Sequence, residues 1–108
     1  MSSSKLTPIE GLELSVPCLV SPGAFSSERF VKVDAQAENK GVTITAFVPD
    51  KYVEDPEPNS KTVRKGRITT IVRFTKGNDI GLLFPGELLS VSNPVRVSKA
   101  WLTKEARK

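Results

Sequence analysis

The chain has 108 residues, is 38% hydrophobic and 26% charged, and carries a formal charge of +4. That length holds one domain or two very small ones, and the composition is that of an ordinary globular protein. It contains no histidine and a single cysteine, Cys18, which excludes an intrachain disulfide, removes the commonest general base and leaves no workable zinc set. No apolar run approaches the roughly 20 residues that span a bilayer, and the opening MSSSKLTPIEGLELS lacks the apolar segment of a secretory signal. The reading is a soluble, cytoplasmic protein with no membrane partner. GxSxG, HExxH, Walker A and GxGxxG patterns are absent, so a non-enzymatic protein without cofactor or metal is expected.

In chain order, residues 1–10 read as a polar tail. Cys18 lies in the apolar SVPCLVS and reads as a small buried filler, with no neighbouring base to activate it. Pro22-Gly23 marks a turn in which glycine would supply a positive φ. In RFVKVDA (29–35), Val31, Val33 and Ala35 alternate with Lys32 and Asp34, the period of a half-buried strand. ENKG (38–41) breaks the pattern, with Asn39 and Gly41 as turn residues. GVTITAFV (41–48) alternates again: Val42, Ile44, Ala46 and Val48 share one face. EDPEPNSK (54–61) is polar and holds Pro56 and Pro58, so residues 56–61 read as a linker.

The second half follows the same style. RITTIVRF (67–74) places Ile68, Thr70, Val72 and Phe74 on one face, which assigns Phe74 to the core, and Arg67 and Arg73 on the other. TKGND (75–79) is a hairpin loop. DIGLLF (79–84) is a continuous apolar run, SNP (92–94) a break, and PVRVSKAWL (94–102) alternates and then turns. Residues 100–108 fit one helical turn. Phe30, Phe47, Tyr52, Phe84 and Trp101 are core candidates. Many short strands with frequent turns predict an all-β fold, a small barrel or sandwich. A pattern offset of about 50 residues relates FVPDKYV (47–53) to RVSKAWL (96–102) and RFVKV (29–33) to DIGLL (79–83). Two architectures follow: two packed copies of 45–50 residues, at 11–55 and 62–104 with a tail at 105–108, or one barrel of six or more strands. Copies that small are marginal alone and would have to pack together.

TAFVPDKYVED (45–55) resembles the end of SH3 domains, where a small residue, an aromatic, an aliphatic and Pro precede a turn and then Tyr-Val. Phe47, Val48, Pro49, Tyr52 and Val53 match those positions. In SH3 domains the Pro and Tyr help form a groove for Pro-rich peptides; the acidic aromatic-rich loop and the Trp-Trp step of that family are absent here. VRKGRITTIV (63–72) is similar to the strand-Gly-strand start of KOW-type SH3-like barrels, which occur in ribosomal and transcription proteins. In that likeness Gly66 takes the tight turn, and Ile68 and Val72 follow in the strand. Both resemblances imply an SH3-like barrel.

Charge is lopsided. Residues 1–55 hold five Lys/Arg and eight Asp/Glu, net −3, and residues 56–108 hold eleven and four, net +7. Such asymmetry points to a polyanionic partner for the basic half. Lys61, Arg64 and Lys65 are assigned to a loop, Arg67 and Arg73 to the outer face of one strand, and Lys76, Arg96, Lys99 and Lys104 to the same basic face. Phe25, in a loop, and Trp101 are the candidate exposed aromatics for base stacking. The expected function is RNA or DNA binding through this face, with docking on an acidic protein surface as the alternative and a charge-complementary homodimer as a third arrangement. Charge reversal at Arg64 and Arg67 is expected to abolish binding without unfolding.

Overall fold

The computed structural model describes residues 7–89 and 91–108. The fold is nearly all-β: one antiparallel sheet curled into a half-barrel, as a small β-barrel requires. Its strands are β1 (Glu13–Pro22), β2 (Glu28–Ala37), β3 (Lys40–Pro49), β4 (Val53–Glu54), β5 (Arg64–Lys76), β6 (Asp79–Leu83), β7 (Glu87–Leu88) and β8 (Val95–Ser98). One helix, α1 (Lys99–Glu105), follows β8. The neighbour order is β7-β3-β2-β1-β5-β6-β8, with β4 also paired to β5. The curl brings β8 against β2 across the mouth of the half-barrel, and α1 packs there against β1 and β2.

The alternation in the sequence sets this curl. Leu14, Val16, Cys18 and Val20 of β1 point inward, as do Val31, Val33 and Ala35 of β2, and Ile44, Ala46 and Val48 of β3. Ile68 and Val72 of β5, Ile80 and Leu82 of β6, and Val95 and Val97 of β8 complete one continuous core with Phe84, Trp101 and Leu102. Both halves of the chain contribute to it, so the apolar faces are buried against each other rather than in separate centres. The one buried hydroxyl among the inward positions, that of Thr70, donates to the Leu14 carbonyl (3.0 Å).

β1 escaped the sequence reading because Pro17 and Pro22 interrupt it. The structure accounts for Pro17. Ser15 N donates to Arg107 O (2.7 Å) and Arg107 N donates to Ser15 O (2.9 Å). Residue 17 presents its nitrogen on the same edge as residue 15. There it falls in the gap between that bridge and the β1–β2 pairing, which begins at Leu19↔Lys32. A proline costs no ladder hydrogen bond at such a place.

Turn assignments shift by a residue or two. The β2–β3 hairpin turns at Glu38 (φ 55°) and Asn39 (φ 74°), closed by the pair Ala37↔Lys40. Positive φ at both central residues is the type I′ pattern that matches strand twist. Gly41 is therefore in β3, and neither it nor Gly23 takes the positive φ expected of it. Gly77 does (φ 62°), in the tight turn between Lys76 and Asp79. The segment after β4 is tied to the sheet by arginines: Arg64 Nη1 donates to Ser60 O and Thr62 O, and Arg29 Nη2 reaches Pro58 O.

Four aromatic assignments need correction. Phe30 and Phe47 are directly opposed across β2 and β3 on the outer face, half-buried, with ring centroids 5.2 Å apart. Tyr52 is exposed, with Lys51 Nζ 5.2 Å from its ring centre. Phe74 is also on the outer face. Val72 pairs with Leu82 and Phe74 with Gly81, so Arg73 is an extra residue, a β-bulge that reverses the parity after it. The Phe74 ring lies over Gly81, and any Cβ there would overlap it. The SH3-like stretch folds as a strand, a single 3-10 turn at Asp50–Tyr52 and a short strand.

Candidate anion-binding surfaces

The cations of the basic half separate into three environments. At the start of β5, Arg64 points inward, in step with Ile68, Thr70 and Val72, and is only 8% exposed. It is thus the first residue of a strand and not part of an exposed loop. Arg29, at the start of β2 and also 8% exposed, points inward in step with Val31. Two buried guanidinium groups would be prohibitively costly without a counter-charge. Asp55 supplies it. Its Oδ1 accepts from Arg64 Nε (2.9 Å), and its Oδ2 accepts from Arg29 Nε (3.0 Å) and from Arg64 Nη2. Asp55 also accepts from the Glu57 N–H (3.0 Å). The Arg64 hydrogen bonds hold its carboxyl far below the ordinary carboxylate range, with further help from Arg29 and against the opposing effect of burial. Arg64 is shifted upward by the same contact. This triad fastens β2, β4 and β5 together.

Arg67 forms the second environment. Its Nε donates to Ser15 Oγ (2.9 Å), and its Nη2 donates to the carbonyls of Ser15 (2.9 Å) and Glu105 (2.6 Å). Burial lowers its pKa, and the guanidinium serves as a tie between β1, β5 and the end of α1. Arg64 and Arg67 are both tied into the fold, and reversing their charge would break the fold before it tested binding. Cys18 lies close by; burial pushes its thiol up to about 12, with Arg67 pulling the other way, so it is inert filler as expected.

The third environment is the far end of β5. Arg73, Lys76, Arg96 and Lys99 are all exposed. Lys76 opposes Asp79 in the hairpin; Arg96 opposes Gly81 on the next strand; Phe74 opposes Gly81 from the other side. Lys99 N donates to Asn78 O (2.8 Å), which seats the start of α1 on the hairpin turn. Asp79 is the acid within this group, and its one ion pair with Arg96 is long, at 3.8 Å. Phe74 therefore sits, half-buried, on the outer face beside Arg73, with Arg96 across Gly81 and Lys76 two residues along the same strand.

Lys61 and Lys65 are exposed at the Arg64 end. Lys65 and Lys76 are about 36 Å apart along an extended strand of roughly 3.3 Å per residue, close to the 39 Å longest dimension of the molecule. The single basic face is thus two groups at opposite ends. Lys104 belongs to neither; it borders a groove of about 540 Å³ between α1 and the β2–β3 hairpin, beside Asp34 and Trp101. Trp101 is 8% exposed and packs in the core, so it offers no stacking surface, whereas Phe25 is 70% exposed. The bulge that groups Arg73 with Phe74 was not read from sequence; its available signal is Gly81, a residue without a side chain within an apolar strand.

Among the described residues no cluster of three or more Cys, Asp or Glu side chains could hold a metal ion, and no helix is long and apolar enough to cross a membrane. Comparison of the chain with family models, curated proteins and solved structures finds no match.

Proposed function

We propose that the protein is a non-enzymatic binding module that takes single-stranded RNA or DNA at the β5–β6 hairpin end, through Arg73, Lys76, Arg96 and Lys99. The observation that carries this reading is the placement of Arg73, Lys76 and Arg96 about the half-buried ring of Phe74, with Lys99 at the same hairpin end and one acid, Asp79, in a long ion pair. Cations supply phosphate contacts and an aromatic face supplies base stacking, the combination that single-strand binders use. The position of Phe74 on the outer face supports stacking at this end, a role that core burial would have denied it.

The test is fluorescence anisotropy with labelled single-stranded oligonucleotides over a range of salt. Four phosphate contacts give a slope of log affinity against log salt of about −3 for a single strand. The double variant K76E/R96E is expected to lose measurable binding and to keep its fold, since both side chains are exposed. Undiminished affinity in that variant overturns the reading. Binding that is salt-steep but unchanged by Phe74→Leu reduces it to general polyanion attraction.

A further inference from the structure

A second cavity lies at the opposite end of β5, between the turn at 22–28 and the segment 58–61. Its volume is about 570 Å³, within the usual span of small-ligand sites. Arg29 and Arg64 are part of its wall and Asp55 is not; the carboxylate instead lines a separate cavity with Pro17, Lys65 and Arg67. The cavity is therefore bordered by two arginines whose shared counter-ion borders another cavity. The triad carries a net positive charge, and Lys61 adds another at the cavity. The acid on this wall, Glu28, is engaged with the Ala24 N–H (2.9 Å).

The guanidinium groups are held but not saturated. Nε of each donates to Asp55, and Nη1 of each donates to two backbone carbonyls: Ser26 and Glu28 for Arg29, Ser60 and Thr62 for Arg64. Nη2 of Arg29 makes one long bond to Pro58 O (3.4 Å), and Nη2 of Arg64 makes one bond to Asp55. Each Nη2 keeps one N–H without a partner among the described residues. Rigidly held, charged and partly free donors suit a phosphate group, because their geometry is fixed before the ligand arrives. Phe25 stands on the same wall and exposes 70% of its surface. It adds nothing to the core, and its ring is free to stack.

We propose that this cavity binds a nucleoside monophosphate, with phosphate oxygens on the free Nη2 edges of Arg29 and Arg64 and on Lys61 Nζ, and with the base against Phe25. This proposal is independent of nucleic-acid binding at the far end of β5. The test is an NMR titration of the whole chain with adenosine 5′-monophosphate, inorganic phosphate and adenosine. It follows the Arg Nε–H signals and the amides around residues 25, 61, 76 and 96. The monophosphate is expected to shift the Arg29 and Arg64 signals saturably and to bind at least tenfold more tightly than phosphate or adenosine. Phe25→Ala should reduce that affinity to the level of inorganic phosphate, and Lys61→Glu should weaken it at least tenfold; both residues are exposed, so the fold is retained. Arginine signals that stay still at millimolar monophosphate overturn the proposal, as does a Phe25→Ala variant that binds like wild type. Shifts confined to residues 76 and 96 also overturn it. Oligonucleotides that fail to bind leave it standing, because they address the other site.

Discussion

The two ends of β5 carry the same kind of residue and use it differently. At the Arg64 end, arginine is an internal fastener. It shares the carboxylate of Asp55 with Arg29, and its Nη1 holds the loop that precedes the strand. At the Lys76 end, the cations face solvent with one acid, Asp79, in a long ion pair among them. A run of basic residues in sequence thus splits by environment. Parity and partner, rather than charge count, decide which cations are available to a ligand.

The largest way to sharpen this contrast is to remove the fastener. Asp55→Asn leaves two buried guanidinium groups without their counter-charge and is expected to cost about 3–5 kcal/mol of stability, read as a large loss in chemical denaturation. The pH dependence follows from the lowered native pKa. The stabilisation by Asp55 is complete above its ordinary value of 3.8 and disappears as pH falls toward the lower native value. The stability gap between wild type and Asp55→Asn should therefore hold at pH 5 to 7 and shrink below pH 4. A gap independent of pH would show that the carboxylate's charge is not what matters.

A smaller effect is expected at the other end. Gly81→Ala forces the Phe74 ring off the sheet and should cost about 1–3 kcal/mol. Combining it with Phe74→Ala should recover part of that loss, with a coupling of about 1 kcal/mol or more in a double-mutant cycle. Strict additivity would mean that the ring does not rest on Gly81. K76E/R96E should change stability by no more than about 0.5 kcal/mol, as exposed positions do. A large destabilisation there would erase the distinction between the two ends. The smallest effect concerns Cys18: native protein should resist iodoacetamide at pH 8 and react once unfolded, monitored by mass spectrometry.

Much of the barrel was legible in the sequence, because inward and outward residues alternate cleanly in β2, β3 and most of β5. What escaped depends on contacts between distant segments. Arg64 has the parity of Ile68, and Arg29 that of Val31, so the alternation itself places both inward. Treating charge as a surface property hid that, and only Asp55 makes it tenable. β1 was hidden by Pro17, whose harmlessness depends on the bridge to Arg107. The bulge at Arg73 moved Phe74 to the other face, an outcome that periodicity cannot register. Of the nine basic candidates, the structure gathers Arg73, Lys76, Arg96 and Lys99, keeps Arg64 and Arg67 for the fold, and sets Lys61, Lys65 and Lys104 apart.

The strand order has a further consequence for cooperativity. It reads as two three-stranded meanders, β3-β2-β1 and β5-β6-β8, set back to back along the β1–β5 seam. Each meander then passes its next segment to the other: β4 pairs with β5, and Arg107 pairs with Ser15 of β1. Neither half owns a complete set of backbone partners. A chain cut in the loop at 56–62 should give two fragments that remain unfolded apart and regain structure on mixing, and the intact chain should unfold in one transition.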